Sequence, residues 1–272
     1  MTTLKRMSGD EFIYKALAGE RDFRGIYLPN FNLDAHDGHK ELQSYFEKQD
    51  FSKKITIDIS GSNLEGLVAS NLYLPYVKAN GTQLFEAHLE SPNFENGEFK
   101  GANLRDAFLA FGNLKGAKFH KANLRRAILY GAILQGAYLK DADLWQAEFN
   151  GANLDDANIE KANAGMADFS NASLERAVIY DANLAMANFD SAIIRGIIGL
   201  DLAYGLEYAF FRETRIGKGE RKIAKKIMRL YEDDIEVVQP DNYELVELKK
   251  EIERRKKEEL NGRPLFIFEK SK

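Results

Sequence analysis

Large apolar residues recur at every fifth position from Ile59 to Ile194, always Leu, Ile or Phe except at Ala69, Ala79 and Ala164. Two residues before each centre, from Ala102 to Ala192, stands Ala, with Gly112 the one exception. The position between them favours Asn or Asp, as in Ala-Asn-Leu-Arg-Asp at residues 102–106. A helix turns about 100° per residue, so a period of five spreads the apolar positions around the whole axis. A strand alternates faces, so the same period sends successive centres to opposite sides. The pattern is satisfied by a chain that turns a corner every five residues and points each centre at a shared axis. Phe149, Phe169 and Phe189 lie twenty apart, as do Phe99 and Phe119. Twenty residues per coil means four sides of five. Residues 59–194 then make about seven coils, and at ~4.8 Å per coil a rod of roughly 34 Å.

The Ala-(Asn/Asp)-(Leu/Phe)-x-x text resembles the pentapeptide-repeat family. The resemblance implies a right-handed quadrilateral β-helix, an all-β solenoid core. It covers about half the chain and carries no function by itself, since its matching residues are core and corner residues.

A solenoid needs its ends covered. Residues 1–58 are expected to form an N-terminal cap. Ser8-Gly9-Asp10-Glu11 opens a short helix as a capping box. Phe23, Leu28 and Leu33 continue the five-residue spacing as a degenerate coil, and residues 39–49 form a helical insertion with Leu42, Tyr45 and Phe46 on its apolar face. The repeat region is 59–194. Residues 195–272 form a C-terminal cap and α-helical region: an apolar stretch with Ile197, Leu200, Phe210 and Phe211, then helices at 219–231 and 242–260. This length exceeds what a cap needs and points either to self-association through these helices or to their folding back on the rod.

The 272 residues carry 38 Lys+Arg and 42 Asp+Glu, a net charge of -4. That mild balance gives no basis for direct nucleic-acid binding. The absence of cysteine excludes disulfides, thiolate metal sites and a cysteine nucleophile. No apolar run reaches the roughly 18 residues of a membrane span, and the start lacks a secretory h-region, so a cytoplasmic protein is expected. Charge is divided along the repeats: residues 59–130 hold 8 basic and 6 acidic residues, residues 131–194 hold 3 and 10.

Stacking by twenty makes columns. One places Phe85, Arg105, Arg125 and Trp145 in an outward ladder, with Lys118, His120 and Lys121 on the neighbouring side and Arg126 at the corner. Such a patch suits an acidic partner, a phosphate or a single strand through cation–π and charge contacts. A solvated face with arginine stems over the rings is the alternative. A second column carries Phe108 and Ile128, with Phe111 and Tyr130 nearby. It reads either as an interface or as the seat of a returning C-terminal helix. His36 and His39, flanked by carboxylates, and the Gly217-Lys218-Gly219 turn are the weak candidates for a metal and a phosphate.

The four histidines, His36, His39, His88 and His120, build no catalytic constellation. No catalytic residues, metal or cofactor are expected. The sequence therefore predicts a non-enzymatic protein-binding or scaffold module whose partner is an unidentified protein. The resemblance implies an alternative. Some members of the family mimic DNA and bind a type II topoisomerase (DNA gyrase), inhibiting it or protecting it from drugs. A mimic needs a sustained negative field, and the first half of this rod is positive.

Overall fold

The computed structural model describes residues 4–49, 56–217 and 266–268. Its centre is a four-sided coil stacked in parallel. Residues just before each apolar centre bridge to residues twenty further on, from Asp58↔Lys78 through Val178↔Ile198. We number the sides by their opening centres: first (Ile59), second (Leu64), third (Ala69) and fourth (Leu74).

The five-residue text follows from where each backbone N–H goes. On the side centred at Leu104, Ala102 N–H donates to Phe99 O across the corner (3.0 Å), and Asn103 N–H to Thr82 O of the preceding coil (2.9 Å). Leu104 and Asp106 donate to Asn123 O (2.7 Å) and Arg125 O (2.9 Å) of the next coil. The Arg105 N–H, at the corner, is taken by the Asn103 side chain at 3.3 Å. Asn or Asp before the centre is thus the residue that closes the account, by an Asx turn. The second corner residue has positive φ on every side from Gly61 to Gly196, in glycine and non-glycine residues alike.

Centres and the Ala positions point inward and are buried throughout. Gly112 is the exception to Ala because the Pro92 ring of the coil before it would sit 3.0 Å from a Cβ there. Phe99 stacks on Phe119 (5.0 Å between centroids), and Phe149, Phe169, Phe189 and Phe211 form one continuous pile at 5.1–5.2 Å. The buried hydroxyls of Ser62, Thr82 and Thr214 each donate to a backbone carbonyl.

At the N-terminal end, Asp22, Tyr27 and Asn32 bridge to Asp58, Asn63 and Val68 and supply three sides of a first coil. Strand β1 (Lys5–Arg6) pairs in parallel outside β2 (Ile26–Tyr27). Helix α1 (Gly9–Leu17) is N-capped by Ser8, whose hydroxyl accepts from Glu11 N–H at 3.1 Å. The Glu11 carboxylate turns to Lys15 (2.7 Å) rather than back to the cap. Helix α2 (His39–Glu47) stands in for the missing fourth side: Gln43 Oε1 accepts the Tyr73 N–H at 3.1 Å, where a coil carbonyl would otherwise be.

The last coil is longer. Ile198, Tyr204, Phe210 and Arg215 pair with Val178, Asn183, Asn188 and Ile193. The two extra residues are taken up by 3-10 turns at Leu200–Leu202 and Leu206–Tyr208, each entered by a glycine of positive φ. Strand β3 (Thr214–Ile216) then pairs in parallel with β4 (Phe266–Phe268). The expected helices at 219–231 and 242–260 lie outside the described residues. Among the described residues no helix is long and apolar enough to cross a membrane.

Candidate binding face

The ladder lies on the second side. Beneath it runs a rail of amides: Asn103 Nδ2 donates to Gln83 Oε1 (3.1 Å), Asn123 Nδ2 to Asn103 Oδ1 (3.2 Å), Asn163 Nδ2 to Asp143 Oδ1 (3.1 Å) and Asn183 Nδ2 to Asn163 Oδ1 (2.9 Å). Asn123 Oδ1 accepts the backbone N–H of Arg125 (3.1 Å), and Asp143 Oδ1, already bonded by Asn163, accepts that of Trp145 (3.2 Å). The backbone that carries the functional side chains is therefore pinned both along the side and between coils.

The column divides into two pairs. The Arg105 guanidinium carbon lies 5.7 Å from the Phe85 ring centre, and that of Arg125 lies 5.8 Å from Trp145. Arg105 leans toward the N-terminal end and Arg125 toward the C-terminal end. Each also makes one contact with a carboxylate: Arg105 Nε to Asp106 at 3.1 Å, Arg125 Nη1 to Asp143 at 3.3 Å. Two half-exposed guanidiniums are thus held against rings, each with N–H groups left over. The Trp145 indole lies over Gly165 of the next coil, where a Cβ would sit 2.4 Å from Cζ3. Only glycine leaves the indole that place.

The remaining residues of the set divide by partner. Arg126 closes a two-bond pair with Asp106 of the preceding coil (2.5 and 2.7 Å), which holds the Asp106 carboxyl below its usual range. Lys118 pairs with Glu98 at 3.0 Å and lowers that carboxyl likewise. His120 Nδ1 lies 3.0 Å from Lys140 O and 3.6 Å from Asp141. Lys121 is exposed and makes no ion pair among the described residues. All five cations thus reach the surface: Arg105 and Arg125 each share a ring and one carboxylate contact, Lys118 and Arg126 are paired to carboxylates of the preceding coil, and Lys121 has no ion pair among the described residues. The column reading missed these acids, although Asp106/Arg126 and Glu98/Lys118 each carry the twenty-residue signal. Gly165 had no signal in charge or hydropathy.

Elsewhere, His88 stacks flat on Phe108 (4.6 Å) on the third side, and Phe111 packs edge-on against Tyr130 (4.5 Å) at the corner with the fourth. His36 sits 2.9 Å from Asp10, and His39 lies 3.7 Å from Asp34. Among the described residues no three His, Cys, Asp or Glu side chains gather in a metal-binding group. The Gly217-Lys218-Gly219 turn falls outside them after Gly217.

A family model described as pentapeptide repeats matches eight copies over residues 82–120, 98–136, 113–146, 132–165 and 166–196. Among solved structures, HetL, a pentapeptide repeat protein involved in heterocyst differentiation regulation from the cyanobacterium Nostoc sp. strain PCC 7120, is 24% identical. That match covers 76% of this chain and 96% of HetL, with a TM-score of 0.34. Another, alr5209, a pentapeptide repeat protein from Nostoc PCC 7120, is 35% identical over 34% of this chain and 69% of its own, with a TM-score of 0.30. A trypsin-treated form of QnrB1, a plasmid-mediated fluoroquinolone resistance protein, is 14% identical over 87% of this chain and 100% of its own, with a TM-score of 0.44. No curated protein matches the chain.

Proposed function

Since the chain belongs to the pentapeptide-repeat family, whose repeats wind into a right-handed β-helix, we propose that it is a non-catalytic module that binds an acidic protein partner on the second side of its rod. The observation that supports this most is the pair of ring-backed arginines, Arg105 on Phe85 and Arg125 on Trp145, with guanidinium N–H groups left for a visitor. Ring contact fixes each guanidinium before binding, so less side-chain freedom is lost when a carboxylate arrives. Arg and Trp are also the residue types that dominate protein interfaces. Lys121 and His120 extend the face around the corner, and Lys118 and Arg126 hold its border through their ion pairs. In this reading residues 1–58 and 195–272 close and extend a repeat region at 59–194.

Mimicry of DNA toward a type II topoisomerase has less support. The acidic half of the rod is partly neutralised between coils, with Glu160 on Lys140 (2.7 Å) and Asp156 on Arg176 (2.7 Å).

Affinity capture from host lysate with the wild type and an Arg105→Glu/Arg125→Glu/Trp145→Ala variant tests the proposal. The expected result is a protein retained by the wild type and lost from a variant that melts within a few degrees of it. Equal retention by both overturns it. If the protein retained equally is a topoisomerase, attention moves to the acidic end.

A further inference from the structure

The wall carries an apolar cluster at the corner of the third and fourth sides, apart from a second group, Tyr180, Ile198, Leu202 and Tyr204, on the last coils. Phe108, Ile128 and Tyr130 are half-buried, while Phe111 and Ile133 are 51% and 44% exposed. Toward the C-terminal end the same sides carry Glu148, Asp155 and Asp168, and no ion pair is recorded for these three among the described residues. Asp155 Oδ1 accepts from the Ser173 hydroxyl (2.5 Å) and Asp168 Oδ1 from Asn188 Nδ2 (3.1 Å), so each keeps its charge outside any ion pair; an apolar seat with such acids beside it fits a segment that is both apolar and basic.

This chain contains one. Residues 221–231 hold Arg221, Lys222, Lys225, Lys226 and Arg229, no acid, and Ile223, Ile227, Leu230 and Tyr231 between them. Its starting point suits the seat. β3 lies on the fourth side, where Arg215 bridges Ile193, and the column Ile133, Asn153, Ser173, Ile193, Arg215 runs straight back to the cluster. Four coil steps span about 19 Å. The thirteen residues 219–231, expected as a helix, span about 20 Å at ~1.5 Å per residue. Residues 232–265 remain for the return to β4, which pairs with β3 at the end of the rod. We propose that residues 221–231 dock in cis on this corner, with Ile223, Ile227 or Leu230 on the Phe111–Tyr130–Ile133 cluster and the basic residues on Glu148, Asp155 and Asp168. The chain then occupies one corner of its own rod, next to the corner of the second and third sides that carries the ladder.

The absence of cysteine makes a direct test clean. In the full chain, Ile133→Cys is combined in turn with Ile223→Cys, Ile227→Cys and Leu230→Cys, and each is mildly oxidised at low protein concentration. The expected result is an intrachain disulfide in at least one pair, found by mass after proteolysis. Its rate should fall about fivefold when Glu148→Lys and Asp168→Lys are added, as the loss of two exposed ion pairs implies. The same partner cysteines combined with His120→Cys, across the rod, should stay reduced. Failure of all three pairs overturns the proposal, as does equal closure with His120→Cys. A disulfide between two chains overturns it in favour of a second copy on the same face.

Discussion

Each residue in this rod answers to a position in a five-letter word, and the tolerance for change follows from that position. Phe169 lies between Phe149 and Phe189, 1% exposed, with rings at 5.1 Å on both sides. Phe169→Ala removes two stacking contacts and leaves a void that the pinned backbone resists closing. A loss of about 3–5 kcal/mol in denaturant unfolding is expected. At Gly165 the constraint lies on the surface: Gly165→Ala pushes the Trp145 indole off its seat and away from Arg125. Trp145 is the chain's one tryptophan, so its emission is expected to shift red with little change in stability. The twenty-residue Phe spacing was plain in the sequence because stacking repeats a residue type. The glycine was not, because its role is to be absent from a place that only the indole's path defines.

The element of this fold is the five-residue side, and sides are tied to their neighbours by more than backbone. Arg126 on Asp106, Arg176 on Asp156, Lys118 on Glu98 and Lys140 on Glu160 each join residues twenty apart, and each carboxyl is held below its ordinary value, chiefly by that hydrogen bond. A carboxyl whose folded pKa is depressed stabilises above its unfolded value and loses that contribution as pH falls through the folded one. These ties are therefore complete at neutral pH, and the melting temperature should hold level down to about pH 5 and fall below about pH 4. In an Arg126→Gln/Arg176→Gln variant that acid limb should be shallower. The side and its corner were legible from Ala, Asn and Leu, since each is a backbone requirement, and the four-fold count from the Phe spacing. The pairs between coils were less so, because the ladder column holds Arg105 and Arg125 while Asp106 and Arg126 stand one position further on, in the corner column. The two six-residue sides of the last coil left only an apolar run at 197–211, since 3-10 turns absorb an extra residue without changing which groups point inward.

At the scale of the whole molecule the two faces face different ways in charge and in role. The second side carries cations outward near its middle; the third and fourth carry an apolar cluster with acids toward the C-terminal end. Both stand on one continuous core of stacked side chains. The coil repeat has a further consequence. Because every column recurs after twenty residues, removing or adding one full coil shifts all later side chains by one notch of ~4.8 Å and leaves each on its own side. A change of five residues instead turns everything beyond it by a quarter of a revolution. The rod is a ruler as well as a wall. Its length is adjustable only in whole graduations, and the distance between the ring-backed arginines and either end is a quantity that the gene can reset by duplicating a coil while every backbone pairing keeps its form.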